Sequence, residues 1–123
     1  MPDAVEIKKA CFSIHPDKAP GPDGFSASFF QSNWTSVGDK IISEIQAFFI
    51  SGDLPLKINH THVRLIPKIP SPQKVSDYRP IALCSVYYKI ISKLLAKRLQ
   101  PLLQFCISEN QSAFIPQRAI SDN

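Results

Sequence analysis

Lys68 and Arg79 are the residues of this sequence best suited to chemistry. They flank a polar, proline-broken connection between two short apolar runs, Val63 to Ile66 and Ile81 to Leu83. Runs of that length on either side of a turn-rich connection predict an antiparallel β-hairpin. The two cations then stand at the base of its loop, a layout suited to holding phosphate. Arginine offers a planar fork of donors to phosphate oxygens, and lysine a compact point charge. On residue type alone, hairpin cations are more often solvated than ligand-bound. Asp77, two residues ahead of Arg79, either pins that arginine or caps the start of the second strand, and the sequence leaves both open.

Other chemistries find little support. No Ser–His–Asp, Cys–His or paired-carboxylate signature stands out. His60 and His62 alternate on the first strand without a cysteine or carboxylate at ligand spacing, which argues against zinc. The three cysteines, Cys11, Cys84 and Cys106, are scattered and odd in number, as expected of reduced intracellular thiols. A formal charge of +4 leans only mildly toward an anionic partner. Asp3 and Glu6 stand where a signal peptide would be basic and apolar, and no apolar run approaches the roughly 20 residues of a membrane span. The expectation is an intracellular protein, cytoplasmic or nuclear, with no membrane partner.

The elements that must position the hairpin are mostly helical. Asp3 and Glu6 have capping-box spacing, and Val5, Ile7, Ala10, Cys11 and Ile14 then form an apolar stripe that ends at Pro16. Residues 17–24, DKAPGPDG, hold two prolines and two glycines, so they predict a rigid loop whose glycines allow close approach to another backbone or a ligand. Phe29, Phe30 and Trp34 share one side of a short helical stretch. Ser36 and Asp39 open a stronger helix with Ile41, Ile42, Ile45, Phe48 and Phe49 on its apolar face and Gly52 as its terminator. Leu54 and Pro55 lead into the hairpin, whose Val63 and Leu65 side is expected to be buried. The opposite side, with His62, Arg64, Ile66 and Lys68, is partly basic.

Ser85 is the expected cap of a long helix from about Val86 to Phe105. Its apolar set is Ile90, Ile91, Leu94, Leu95, Leu99, Leu102 and Leu103, with Lys89, Lys93, Lys97 and Arg98 on the wet side. Pro101 is expected to kink or divide it.

Five motifs recur in order: KAPGPDGF at residues 18–25, LIPK at 65–68, DYRPIAL at 77–83, YKIISKLLAKRL at 88–99 and NQSAFIPQRAISDN at 110–123. Together they resemble the front part of a reverse transcriptase from a non-LTR, LINE-type retrotransposon, with wording like that of plant members. The resemblance covers essentially the whole chain. It departs at Gln117, where the family usually has glycine, so a less tight turn is the expectation there.

The resemblance implies one partial reverse transcriptase domain over residues 1–123, comprising the fingers and the start of the palm. The fold class is α+β, mostly helical with one antiparallel β-hairpin and an incomplete palm. It implies that Lys68 and Arg79 bind the phosphates of an incoming deoxynucleoside triphosphate. It places Lys18, Gly21, Asp23 and Gly24, with Gln111, Phe114 and Arg118, on the template–primer side, making RNA or DNA the implied partner.

The family's cofactor is Mg²⁺, held by palm aspartates, two of them adjacent. The aspartates here, Asp3, Asp17, Asp23, Asp39, Asp53, Asp77 and Asp122, are nowhere adjacent, and the expected first catalytic strand lies beyond them. The expectation is therefore a polymerase piece with no catalytic or metal residue of its own, inactive alone, with residual nucleic-acid or nucleotide phosphate binding. The competing expectations are a non-enzymatic helical protein-interaction module and an unstable pseudogene product. Exposed apolar surface would then await a protein partner or the missing palm.

Overall fold

The computed structural model describes residues 1–106. The helices are α1 (Ala4–Phe12), α2 (Ala27–Ser32), α3 (Trp34–Ser51) and α4 (Leu56–Asn59). A two-stranded ribbon follows, β1 (His62–Pro67) and β2 (Tyr78–Leu83), joined through a 3-10 turn at Val75–Asp77, and α5 (Val86–Cys106) closes the order. The chain is α+β and mostly helical, as its sequence predicts.

The core forms where α1, α2, α3 and α5 meet. Ile7 and Cys11 of α1, Phe30 of α2, Ile41 and Ile45 of α3, and Val86, Ile90 and Leu94 of α5 are buried together. Each such aliphatic side chain contributes about 1.5–3 kcal/mol relative to exposure. Burial raises the Cys11 thiol to about 11, so it packs here as a neutral apolar group.

Polar contacts fix the helix ends. The Asp3 carboxylate accepts the Glu6 N–H at 2.7 Å, half of the expected capping box. The Glu6 carboxylate instead accepts from Arg98 of α5 at 3.1 Å. The Arg98 guanidinium also lies 5.3 Å from the centre of the Phe49 ring, so one side chain joins α1, α3 and α5. Gly52 terminates α3 in the left-handed conformation at φ 77°, as the sequence predicts.

Several expectations are corrected. Val5 is 75% exposed rather than part of the apolar stripe. Helix α3 begins at Trp34, ahead of Ser36 and Asp39. Trp34 packs edge-on to Phe12, and Gly38 leaves the room: a Cβ there would stand 2.8 Å from the indole nitrogen. A one-turn helix, α4, separates Pro55 from the ribbon. Pro101 does not divide α5, which is continuous through it, although the proline cannot donate to the Lys97 carbonyl.

The largest correction concerns the ribbon. Every residue of β1 is exposed, including Val63 and Leu65, because the ribbon's extensive contacts are those between its own two strands, while Tyr78, Ile81 and Leu83 of β2 are half-buried.

Candidate nucleotide-phosphate site

The ribbon's register determines which side chains meet. His62 pairs with Leu83, Arg64 with Ile81, Ile66 with Arg79, and Pro67 with Tyr78. Directly opposed residues share a face, and so do residues two apart on one strand. Arg79, opposite Ile66, therefore lies on the same face as Arg64, and Lys68 follows directly on the end of β1. Arg79 is a diagonal neighbour of Arg64, at a typical separation of about 7–8 Å. The other face carries Val63, Leu65, Tyr78, Pro80 and Ala82, an apolar strip.

Arg64 was absent from the residues chosen on sequence grounds. The period-two alternation of His62, Arg64, Ile66 and Lys68 was the signal that could have found it.

The loop at the end of this face is held by its own polar groups. Lys68 donates its backbone N–H to the Asp77 carbonyl at 2.7 Å and its ammonium to the Ser76 carbonyl at 2.8 Å. The Asp77 carboxylate accepts the N–H groups of Gln73 and Lys74, each at 2.9 Å. Those backbone donors hold its pKa below the ordinary 3.8, so it is ionised at neutral pH. Asp77 takes neither role open in the sequence: its carboxylate caps the 3-10 turn ahead of the second strand, and among the described residues it forms no ion pair with Arg79. The Arg64 and Arg79 side chains make no hydrogen bond or ion pair among the described residues, and both are exposed. Lys68 is thus a pre-positioned ammonium with donors to spare, beside unengaged guanidinium groups.

The other candidate residues lie elsewhere. Gly21 is buried against the junction of β2 and α5, where a Cβ would stand 2.4 Å from the Ser85 nitrogen. That is the close backbone approach its loop predicts. Gly24 turns the loop at φ 76°, the Asp23 carboxylate accepts the Phe25 N–H at 3.2 Å, and Lys18 is exposed. Ser85, buried, receives the Tyr88 N–H as the expected cap and donates to the Ile58 carbonyl at 3.1 Å, tying α4 to the same junction.

This junction is the far end of the ribbon. Arg79 is four residues from Leu83, about 13 Å at the usual strand rise. The fold therefore sets Gly21 at the opposite end of the ribbon from Arg79 and Lys68 instead of joining them. Gln111, Phe114 and Arg118 lie outside the described residues.

A magnesium site is not built from these side chains. No group of three His, Cys, Asp or Glu gathers among the described residues, and Asp77, the carboxylate nearest the cations, is committed to backbone donors. The metal the family implies does not fit residues 1–106. The described residues also contain no helix long and apolar enough to cross a membrane.

Comparison with known proteins agrees with the motif pattern. Residues 66–123 match the reverse transcriptase (RNA-dependent DNA polymerase) family. A transposon TX1 149 kDa protein from Xenopus laevis is 33% identical over 118 residues, 96% of this chain and 9% of that protein. The Pol polyprotein of a type-1 R2 retrotransposable element from Bradysia coprophila is 28% identical over 113 residues, 91% of this chain and 12% of its own length. That of the type-2 element R2DM of Drosophila melanogaster is 28% identical over 105 residues, 85% and 10% respectively. The chain thus spans about a tenth of the length of these relatives, all of them from animals. The chain is a non-LTR-type segment of the reverse transcriptase family.

Proposed function

We propose that this segment is the nucleotide-phosphate-binding part of an RNA-directed DNA polymerase. Its ribbon face of Arg64, Lys68 and Arg79 takes the triphosphate of an incoming deoxynucleotide. The observation that carries this reading is the register, which puts Arg64 and Arg79 diagonally adjacent on one exposed face, with Lys68 directly at the end of β1 and the nearby carboxylate already committed. Fixed donors of this kind stabilise the charge of a departing pyrophosphate without reorganising during the reaction. The segment performs no phosphoryl transfer by itself. The metal-bound steps belong to carboxylates outside the described residues, and the template–primer is the partner of the assembled polymerase, approached through Lys18 and the residues 17–24 loop.

The test is direct titration of the 123-residue chain with a deoxynucleoside triphosphate. Loss of one charge-assisted hydrogen bond costs about 1.5–3 kcal/mol. Arg79→Ala and Lys68→Ala should therefore each weaken binding roughly tenfold or more, and Arg64→Ala should weaken it measurably. Equal binding by the wild type and an Arg79→Ala/Lys68→Ala double variant would overturn the proposal.

A second reading, a protein-interaction role, is favoured by Leu95, Leu99 and Leu102, which follow helical spacing along α5 and are about half exposed. Light scattering that shows a monodisperse monomer over a wide concentration range would count against a self-associating form of it.

A further inference from the structure

Away from the ribbon, positive charge gathers a second time. Lys89, Lys93 and Lys97 recur every fourth residue along α5, so they form one row with a spacing of about 6 Å. Lys9 of α1 faces Lys93 and Lys97 across the groove where α1 packs on α5, a cleft of about 240 Å³ floored by Ala10 and Leu94. The carboxylate in that groove, Glu6, is taken by Arg98. No carboxylate pairs with any of these four lysines among the described residues.

Packing accounts for only part of this arrangement. Like charges four residues apart weaken a helix, and this row contains two such pairs in succession. The Lys93 ammonium donates to the Ser13 carbonyl at 3.2 Å, at the C-terminal end of α1, where a cation is favourable. The Lys89 ammonium donates to the Ala19 carbonyl at 3.0 Å. Neutral carbonyls orient these ammonium groups without cancelling their charge and leave donors unused. The Lys9 and Lys97 ammonium groups have no hydrogen bond or ion pair among the described residues.

We infer that this row is a second phosphate track, one that takes the sugar–phosphate backbone of a nucleic-acid strand. A regular repeat over about 12 Å suits successive phosphodiesters rather than one compact polyphosphate. The row starts at Ala19, in the loop against the ribbon's base, so the track leads away from the nucleotide face instead of duplicating it. The inference does not depend on the role of Arg64, Lys68 and Arg79.

Fluorescence anisotropy of a labelled single-stranded oligouridylate with the full chain at low salt tests it. The double variant Lys9→Gln/Lys97→Gln removes charge while leaving the Ala19 and Ser13 anchors intact. It should bind about tenfold more weakly and flatten the log–log salt dependence by about 1.4, two single-strand phosphate contacts. Lys68→Ala/Arg79→Ala should leave that slope change in place. Wild-type protein that does not bind would overturn the inference. So would a folded Lys9→Gln/Lys97→Gln variant with unchanged affinity and slope. Complete displacement of the RNA by equimolar pyrophosphate would also overturn it, identifying a site for free polyphosphate instead.

Discussion

In the helical body, Ile41, Ile45, Ile90 and Leu94 are essentially removed from solvent, whereas Val63 and Leu65 of the ribbon are 63% and 58% exposed. Side chains of similar size and chemistry thus do different work in the two regions. The body is held by apolar burial shared among four helices. The ribbon is held by its backbone ladder and by the Lys68 and Asp77 bonds that close its loop. Its side chains contribute little to packing, so the cations on one face are available to a ligand. The difference teaches that stability and ligand binding are carried by separate residues and can be perturbed separately.

Substitutions in the body should have the largest effect on stability. Ile45→Ala empties a fully buried site and should cost about 2–5 kcal/mol in chemical denaturation. The matched change in the ribbon, Leu65→Ala, should stay within about 0.5 kcal/mol. Comparable losses at both positions would mean that the ribbon is packed on the body after all. Gly21→Ala is intermediate. Its added methyl group meets the backbone of Cys84 and Ser85, which cannot swing aside as a side chain would, so a cost of about 1–3 kcal/mol is expected in the same assay.

The smallest effect is local and follows pH. The folded pKa of Asp77 is below its ordinary 3.8, so ionised Asp77 favours the closed loop. That contribution is fully present above the unfolded pKa and is lost as pH falls through the lower, folded one. Protection of the Gln73 and Lys74 amides from hydrogen exchange, corrected for intrinsic rates, should fall over that acidic interval. Asp77→Asn should lower it at every pH.

Much of the body was legible because its signals are local. The Asp3 and Ser85 caps, the Gly52 terminator and the apolar spacing of α3 and of α5 as far as Leu94 each act within a few residues, whereas Leu95, Leu99 and Leu102 of the expected α5 set are exposed. The ribbon's pairing was legible for the same reason. Its burial was not, because alternation of Val63 and Leu65 with His62 and Arg64 shows which side chains share a face but not whether anything covers that face. Nor could spacing show that Asp77 closes the loop, that Glu6 pairs with Arg98 across the fold, or that Lys89 and Lys93 reach carbonyls in other elements. Each of these depends on contacts between residues far apart in the chain or on the detailed course of a turn. The cationic face itself was half read: Lys68 and Arg79 came from motif and position and Arg64 from its place on the partly basic side, but only the register brings Arg79 beside Arg64.

The central claim is that the ribbon's cationic face, and not the body, receives the nucleotide phosphates. Amide chemical-shift mapping of the 123-residue chain with a deoxynucleoside triphosphate tests it most directly. Perturbations should concentrate from Arg64 to Lys68 and from Asp77 to Ile81 and be abolished in Arg79→Ala/Lys68→Ala, with the amides of α3 unmoved. Perturbations that spare the ribbon, or that persist unchanged in the double variant, would contradict it.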